Sequence, residues 1–187
     1  MYIMETDRLA LRQMNDNDED HLMQIFSDPV AMQYYPSTKT REQARKWIQW
    51  NLNNYEKHGT GLWICESKEE GAFVGQCGIV PQTVDERSEM EIGYLFVRAH
   101  WGKGLATEAA TAVKEYGFTT MGRSRLISMI YKSNLPSMGV ARRIGMSFEK
   151  ETRINNRETR IYSVHAKKDS PVLTLDSRPP GTDSLHY

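Results

Sequence analysis

A strand that runs through a two-glycine turn into a helix constrains this chain more than any other feature. Residues Glu89 to Val97 are rich in β-branched and aromatic side chains, lack proline and read as a strand. After Trp101-Gly102-Lys103-Gly104, the residues Ala106, Ala109, Ala110, Val113 and Tyr116 recur at helical spacing among good helix formers. Such a turn leaves backbone N–H groups unpaired at the positive end of the helix dipole, worth roughly half an elementary charge. It forms a cradle for a phosphate or pyrophosphate, and glycine at 102 and 104 removes the Cβ atoms that would hold a ligand off the backbone. The plain alternative is a tight turn and nothing more. A Walker A loop is excluded, because Gly104 is followed by Leu105 rather than Lys. A dinucleotide fingerprint fits poorly, because Thr107 stands where its third glycine belongs.

The rest of the chain supplies alternating elements. Arg8 to Gln13 reads as a first strand. Asn15 to Asp20 is an acidic, cap-rich opening to a helix that buries Leu22, Ile25 and Phe26 and ends at Asp28-Pro29. Thr40 to Gln43 is a capping box for a second helix reaching about Lys57. Trp47 falls on its core side, and Trp50 at the core edge or on a cleft wall. Gly61 to Ser67 and Ala72 to Pro81 read as a hairpin, and Pro81 to Ser88 as a charged connection to the strand before the glycine turn. Arg125 to Tyr131 is a buried-strand candidate. A short helix opens at Asn134-Leu135-Pro136 and stops at Gly145. Met146 to Arg153 and Thr159 to Lys167 pair across Asn155-Asn156.

Over about Glu5 to Lys167 the sequence resembles the GNAT superfamily of acetyl-CoA-dependent N-acetyltransferases, in its RimJ/RimL-like branch. The carriers are Thr6 to Arg12, Glu91-Ile92-Gly93-Tyr94, Trp101 to Ala109, Asn134-x-x-Ser137, and Arg143-Ile144-Gly145-Met146-x-Phe148-Glu149. The superfamily's phosphate loop is usually Gln/Arg-x-x-Gly-x-Gly/Ala. Gly104 and Ala106 match it, while Trp101 replaces the Gln/Arg, as is common in this branch. The resemblance implies a mixed α/β fold with a mostly antiparallel central sheet of about seven strands and about four flanking helices. It covers residues 1–168 as one domain, with the Pro-rich 169–187 as a tail.

The resemblance also implies a chemistry. Acetyl-CoA is expected along Phe96, Val97, Trp101, Gly102, Lys103, Gly104, Leu105, Ala106 and Thr107. The backbone of Phe96 and Val97 would hold the pantetheine arm, and the N–H of one of them the oxyanion. Asn134 bonds the pantetheine amide or simply caps its helix. Glu91 aligns with the strand glutamate that serves as base in histone-acetylating members; a structural carboxylate is the alternative, and Glu89 is the reserve. Many members place a tyrosine acid where this chain has Ala141, so Ser137, one turn earlier, is the substitute. Tyr34, Tyr35 and Trp50 are candidates for the acceptor site, since that region lies over the acceptor cleft in this branch. His100 is read as a neighbour of the CoA phosphates rather than a catalytic group.

Amine basicity separates the acceptors. A free α-amine of pKa ~7.7–8.0 is substantially neutral near pH 7.5, whereas a lysine-type amine at ~10.4 is neutral about once in a thousand. A protein N-terminal α-amine therefore needs only a mild base, and is the expected acceptor. A small amine, polyamine or antibiotic comes next, and a non-catalytic acetyl-CoA-binding module after that. Among the 187 residues the net charge is zero, which argues against a nucleic-acid partner. No apolar run approaches the ~20 residues of a membrane span, and no signal-peptide pattern opens the chain. Cys65 and Cys77 show no metal spacing and read as reduced core residues of a cytoplasmic protein needing no metal. A homodimer stays open.

Overall fold

The computed structural model describes residues 1–167, so the tail expected over 169–187 lies outside the described residues. One eight-stranded sheet runs in the order β1-β2-β3-β4-β5-β6-β8-β7. Its strands are β1 (Tyr2–Glu5), β2 (Leu9–Arg12), β3 (Leu62–Ser67), β4 (Phe73–Val84), β5 (Arg87–Phe96), β6 (Arg125–Tyr131), β7 (Ser147–Ile154) and β8 (Arg157–His165). Four helices, α1 (Glu19–Phe26), α2 (Arg41–His58), α3 (Leu105–Thr119) and α4 (Leu135–Arg143), cover its two faces. Among the described residues no helix is long and apolar enough to cross a membrane.

The sheet separates two cores. On one face Leu22, Ile25 and Phe26 of α1 and Ala44 and Ile48 of α2 pack on Leu62, Ile64 and Val80. On the other, Ala109, Ala110 and Val113 of α3 and Met138 and Ala141 of α4 pack on Trp63, Cys77, Ile92, Phe96 and Leu126. The alternation of β5 sends Ile92 and Phe96 to the second core and Glu91, Gly93 and Leu95 towards the α1–α2 side. Every neighbouring pair is antiparallel except β5 and β6, which α3 links as a parallel crossover with a single ladder pair, Glu91 with Ile127.

The expected caps form. Thr40 accepts from the Gln43 amide and Gln43 reaches back to Thr40, while Asn134 accepts from the Ser137 amide at 3.1 Å. The connection expected over 81–88 does not exist. β4 and β5 continue through it to the pair Val84–Arg87, and only Asp85 and Glu86 turn, at φ 46° and 63°. Asp85 is tied from both sides, by Lys150 at 2.6 Å and Thr152 at 2.8 Å. This pair of contacts holds a turn in which Asp85 suits its φ while Glu86 stands where glycine is favoured. The eighth strand, β1, is a short edge segment whose four residues carry too little pattern to read.

Candidate active site

Gly104 is the residue before α3, at φ +80°, and Gly102 lies at φ +74°. A Cβ at Gly102 would meet nothing within 4 Å, and Gly102 lines an open groove of about 650 Å³. Because α3 is preceded by glycine, no side chain competes for its first-turn amides, and Leu105, Ala106 and Thr107 line that groove. Trp101, His100 and Arg143 line it too, and Arg143 holds the Thr107 hydroxyl at 3.0 Å. Lys103 and Val97 do not. The Lys103 carbonyl instead accepts from Arg8 Nη1 at 2.9 Å. Glu108 on α3 accepts from Thr6 Oγ1 at 2.6 Å and from Arg8 N and Nε at 2.9 and 2.7 Å. The opening Thr6 to Arg8 thus braces the glycine loop from behind.

A pyrophosphate-bearing ligand fits this groove: the amides are uncapped, the glycine positions are open, and a guanidinium borders them. The groove runs to the place where β5 and β6 part. The Val97 N–H donates to Val74 O at 2.9 Å, which leaves it no part in holding a ligand. Phe96 lies opposite Gly75 between that bond and the next, so its N–H turns away from β4, towards the gap beside β6. Of the two strand-end amides, Phe96 is the one left for an oxyanion. Its carbonyl takes the Trp101 indole N–H at 2.9 Å.

A second cleft of about 210 Å³ adjoins the first on the α1–α2 side. Its floor is Gln76, Val80 and Gln82 of β4 with Glu91, Gly93 and Leu95 of β5. Tyr34, Tyr35, Tyr94, Leu95, Asn134 and Ser137 border both cavities, so one opens into the other beside the parted strands. Glu91 accepts from Gln82 Nε2 at 2.7 Å and from the Met129 N–H at 3.2 Å. Burial outweighs those two bonds, and its carboxyl is pushed up to about 7. Burial, with the Glu91 charge adding to it, raises the Tyr35 and Tyr94 hydroxyls well above the ordinary phenol range. Glu89 is not in the cleft; Arg125 holds it at 3.1 Å.

Trp47 and Trp50 both wall the cleft, 5.3 Å apart, so Trp47 is not only a core residue. The Trp47 indole N–H donates to Gln76 Oε1 at 3.0 Å. Over the opening, Arg157 Nη1 reaches the Tyr34 carbonyl at 2.8 Å, with its guanidinium 3.7 Å above the Tyr131 ring. Asn134 caps α4, and Ser137 borders both cavities while its carbonyl accepts from the Tyr94 hydroxyl at 2.7 Å. Ala141 is fully buried beneath it. Gln76, Gln82 and Arg157 escaped the sequence reading. The signal for the two glutamines was present, since 76, 80 and 82 share parity along β4, but it needs the β4–β5 register to point at Glu91.

The chain belongs to the family its geometry describes: residues 8–147 match the acetyltransferase (GNAT) domain model. YkkB of Bacillus subtilis is 44% identical over 158 residues, covering 84% of this chain and 92% of its own. The N-acetyltransferase p20 of Bacillus licheniformis is 35% identical over 162 residues, covering 84% and 88%. Among solved structures, the ribosomal L7/L12 α-N-protein acetyltransferase RimL in complex with coenzyme A shares the fold at TM-score 0.73 and 17% identity, over 88% of this chain and 98% of that one. The protein is an N-acetyltransferase of the GNAT type.

Proposed function

We propose that the protein acetylates α-amines of the protein N-terminal kind by direct attack on acetyl-CoA in a ternary complex. The observation that carries this reading is Glu91, a carboxylate on the cleft floor with its pKa pushed up to about 7. Taking a proton from an α-ammonium of pKa ~7.7–8.0 is uphill by about one unit, or ~1.4 kcal/mol. From a lysine-type ammonium at ~10.4 it is uphill by more than three units, about 4–5 kcal/mol. A polyamine or aminoglycoside would bring several positive charges to a cleft lined by the Glu91 carboxylate and the Lys39 ammonium. The fold shared with RimL, whose described substrate is a protein α-amine, is in keeping with this choice.

Acetyl-CoA supplies the activated acyl group, and the residues divide the remaining work. The α3 amides at Leu105 to Thr107, the open Gly102 and Arg143 hold the pyrophosphate. The Phe96 N–H faces the oxygen on which charge develops during attack. Glu91 lies four residues before Leu95, roughly 13 Å along the strand, and takes the amine proton through water. At about 30 Å³ per water, a cleft of about 210 Å³ accommodates the acceptor end and such a relay. The Ser137 hydroxyl gives a proton to the departing thiolate, with Tyr94 fixing its backbone. Buried Cys65 and Cys77, unpaired, favour a reducing cytoplasm.

Thiol release measured over a panel of peptides and small amines tests the reading. Free α-amine peptides are expected to turn over and blocked ones not, with Glu91→Gln slower by about 10²–10³-fold. Coenzyme A binding without turnover on any amine, and indifferent to Glu91→Gln, would make this a binding module instead.

A further inference from the structure

The cleft is lined by a buried side chain whose hydrogen-bond donor is unused among the described residues. Gln76 is 1% exposed, and its Nε2 has no partner among the described residues. Its orientation is not arbitrary. Trp47 Nε1 can only donate, so it fixes Oε1 of Gln76 towards the indole and leaves the NH2 facing the other way. A buried donor without a partner is destabilising, and such groups are rare in folded proteins. Gln76 lines the cleft, directly across the β4–β5 ladder from Leu95, with its Nε2 just beneath the cleft surface. Beside it Lys39, half-buried, rests its ammonium 5.7 Å from the Trp47 ring and 5.8 Å from the Phe26 ring. No carboxylate of the described residues pairs with Lys39, and it lines the same cleft. One end of the cleft therefore offers unpaired donors, while the single carboxylate, Glu91, lies roughly 13 Å along the strand.

Resting on the acetyl-transfer reading above, we infer that Gln76 Nε2 is an acceptor-recognition group that binds an oxygen on the carbon next to the reacting amine. The acceptor class is then an α-aminoacyl group: a primary amine whose neighbouring carbon carries a carbonyl or carboxylate. A donor that is desolvated in advance gains a bond from such a substrate and stays unpaired with an alkylamine, so the cleft discriminates by hydrogen bonding rather than by size. Two sources share this chemistry, a peptide N-terminus through its amide carbonyl and a free amino acid through its carboxylate. The Lys39 ammonium adds to the second.

Acetyl transfer to glycinamide, glycine, a Gly-initiated peptide and a fluorinated ethylamine of matched basicity tests this, in wild type and in Gln76→Met, which keeps the side-chain length and lacks the donor. The expected result is a wild-type preference of at least tenfold in kcat/KM for the oxygen-bearing amines. That ratio should collapse towards one in Gln76→Met, with the loss carried by both KM and kcat. Trp47→Phe, which frees the amide to rotate, should shrink the ratio less. With rates referred to the neutral fraction of each amine, because the carboxylate of glycine makes its amine more basic, glycinamide and peptide outrunning glycine identifies the peptide source, and the reverse the free acid. Should Gln76→Met fail to fold, the wild-type ratio alone decides. A wild-type enzyme that acetylates the matched ethylamine as well as glycinamide overturns the inference and leaves acetyl transfer intact. No turnover on any amine overturns both.

Discussion

In the proposed role, Glu91 trades stability for reactivity. Its carboxyl titrates near 4.5 in the unfolded chain and about 7 in the fold. Between those values the native state binds more protons than the unfolded one, so stability falls as pH rises through that window. Glu91→Gln removes the burden and keeps a partner for Gln82 or Met129. It should therefore raise stability at pH 8 by roughly 1–3 kcal/mol, with no gain at pH 4, as chemical denaturation at the two values will show. Gly102→Ala acts on the other cavity. It places a Cβ at φ +74° on the groove lining, so about 1–2 kcal/mol of backbone strain and at least a tenfold loss of coenzyme A affinity by calorimetry are expected. The loop glycines could be picked out from their spacing alone, whereas Glu91, Ser137 and the pair Tyr34-Tyr35 were singled out through the family resemblance, and all of them line or border the two cavities. That the Val97 N–H is taken up by Val74 was not legible, since only the sheet register reveals it. Gln76 and Gln82 were invisible for the same reason: a polar residue inside a strand declares its function only when its cross-strand neighbour is known.

Among the elements, helices were read closely because caps and breakers are local. Thr40 and Gln43, Asn134 and Pro136, and Gly145 act within a few residues of where they stand. The β4–β5 hairpin was misread because its turn, Asp85-Glu86, has no glycine at its second position and is held by Lys150 and Thr152, distant in sequence. The strain remaining there is testable. Glu86→Gly relieves a non-glycine φ of 63° and should raise stability by about 0.5–1 kcal/mol in thermal melts, activity unaltered; a loss of stability would mean the turn is not where the strain lies. The connection between β1 and β2 has a role of its own, since its Arg8 and Thr6 grip Glu108 and the Lys103 carbonyl. Arg8→Ala should raise the KM for acetyl-CoA about 3- to 10-fold and leave the acceptor KM unaltered, because half-exposed contacts of this kind contribute about 1 kcal/mol each.

At the scale of the molecule, the fold places its active site by omission. A sheet covered on both faces by helices would be sealed, were β5 and β6 joined along their length. They share one ladder pair, and the two cavities meet where they part, with Phe96 on one rim and the α4 cap on the other. The sequence marked the strand–glycine–helix unit and a buried strand after it, but not that β5 and β6 pair in parallel. Where the parallel pairing stops was not announced, because it depends on the length of ladder that β6 also shares with β8. The central claim is that Glu91, beside this gap, receives the acceptor's proton. The most direct measurement is kcat/KM for an α-amine peptide across pH 5 to 10, in wild type and Glu91→Gln. The account predicts a wild-type limb that rises through a pKa of about 7 and is missing in Glu91→Gln, leaving only the titration of the amine. Superimposable profiles of undiminished height would contradict it.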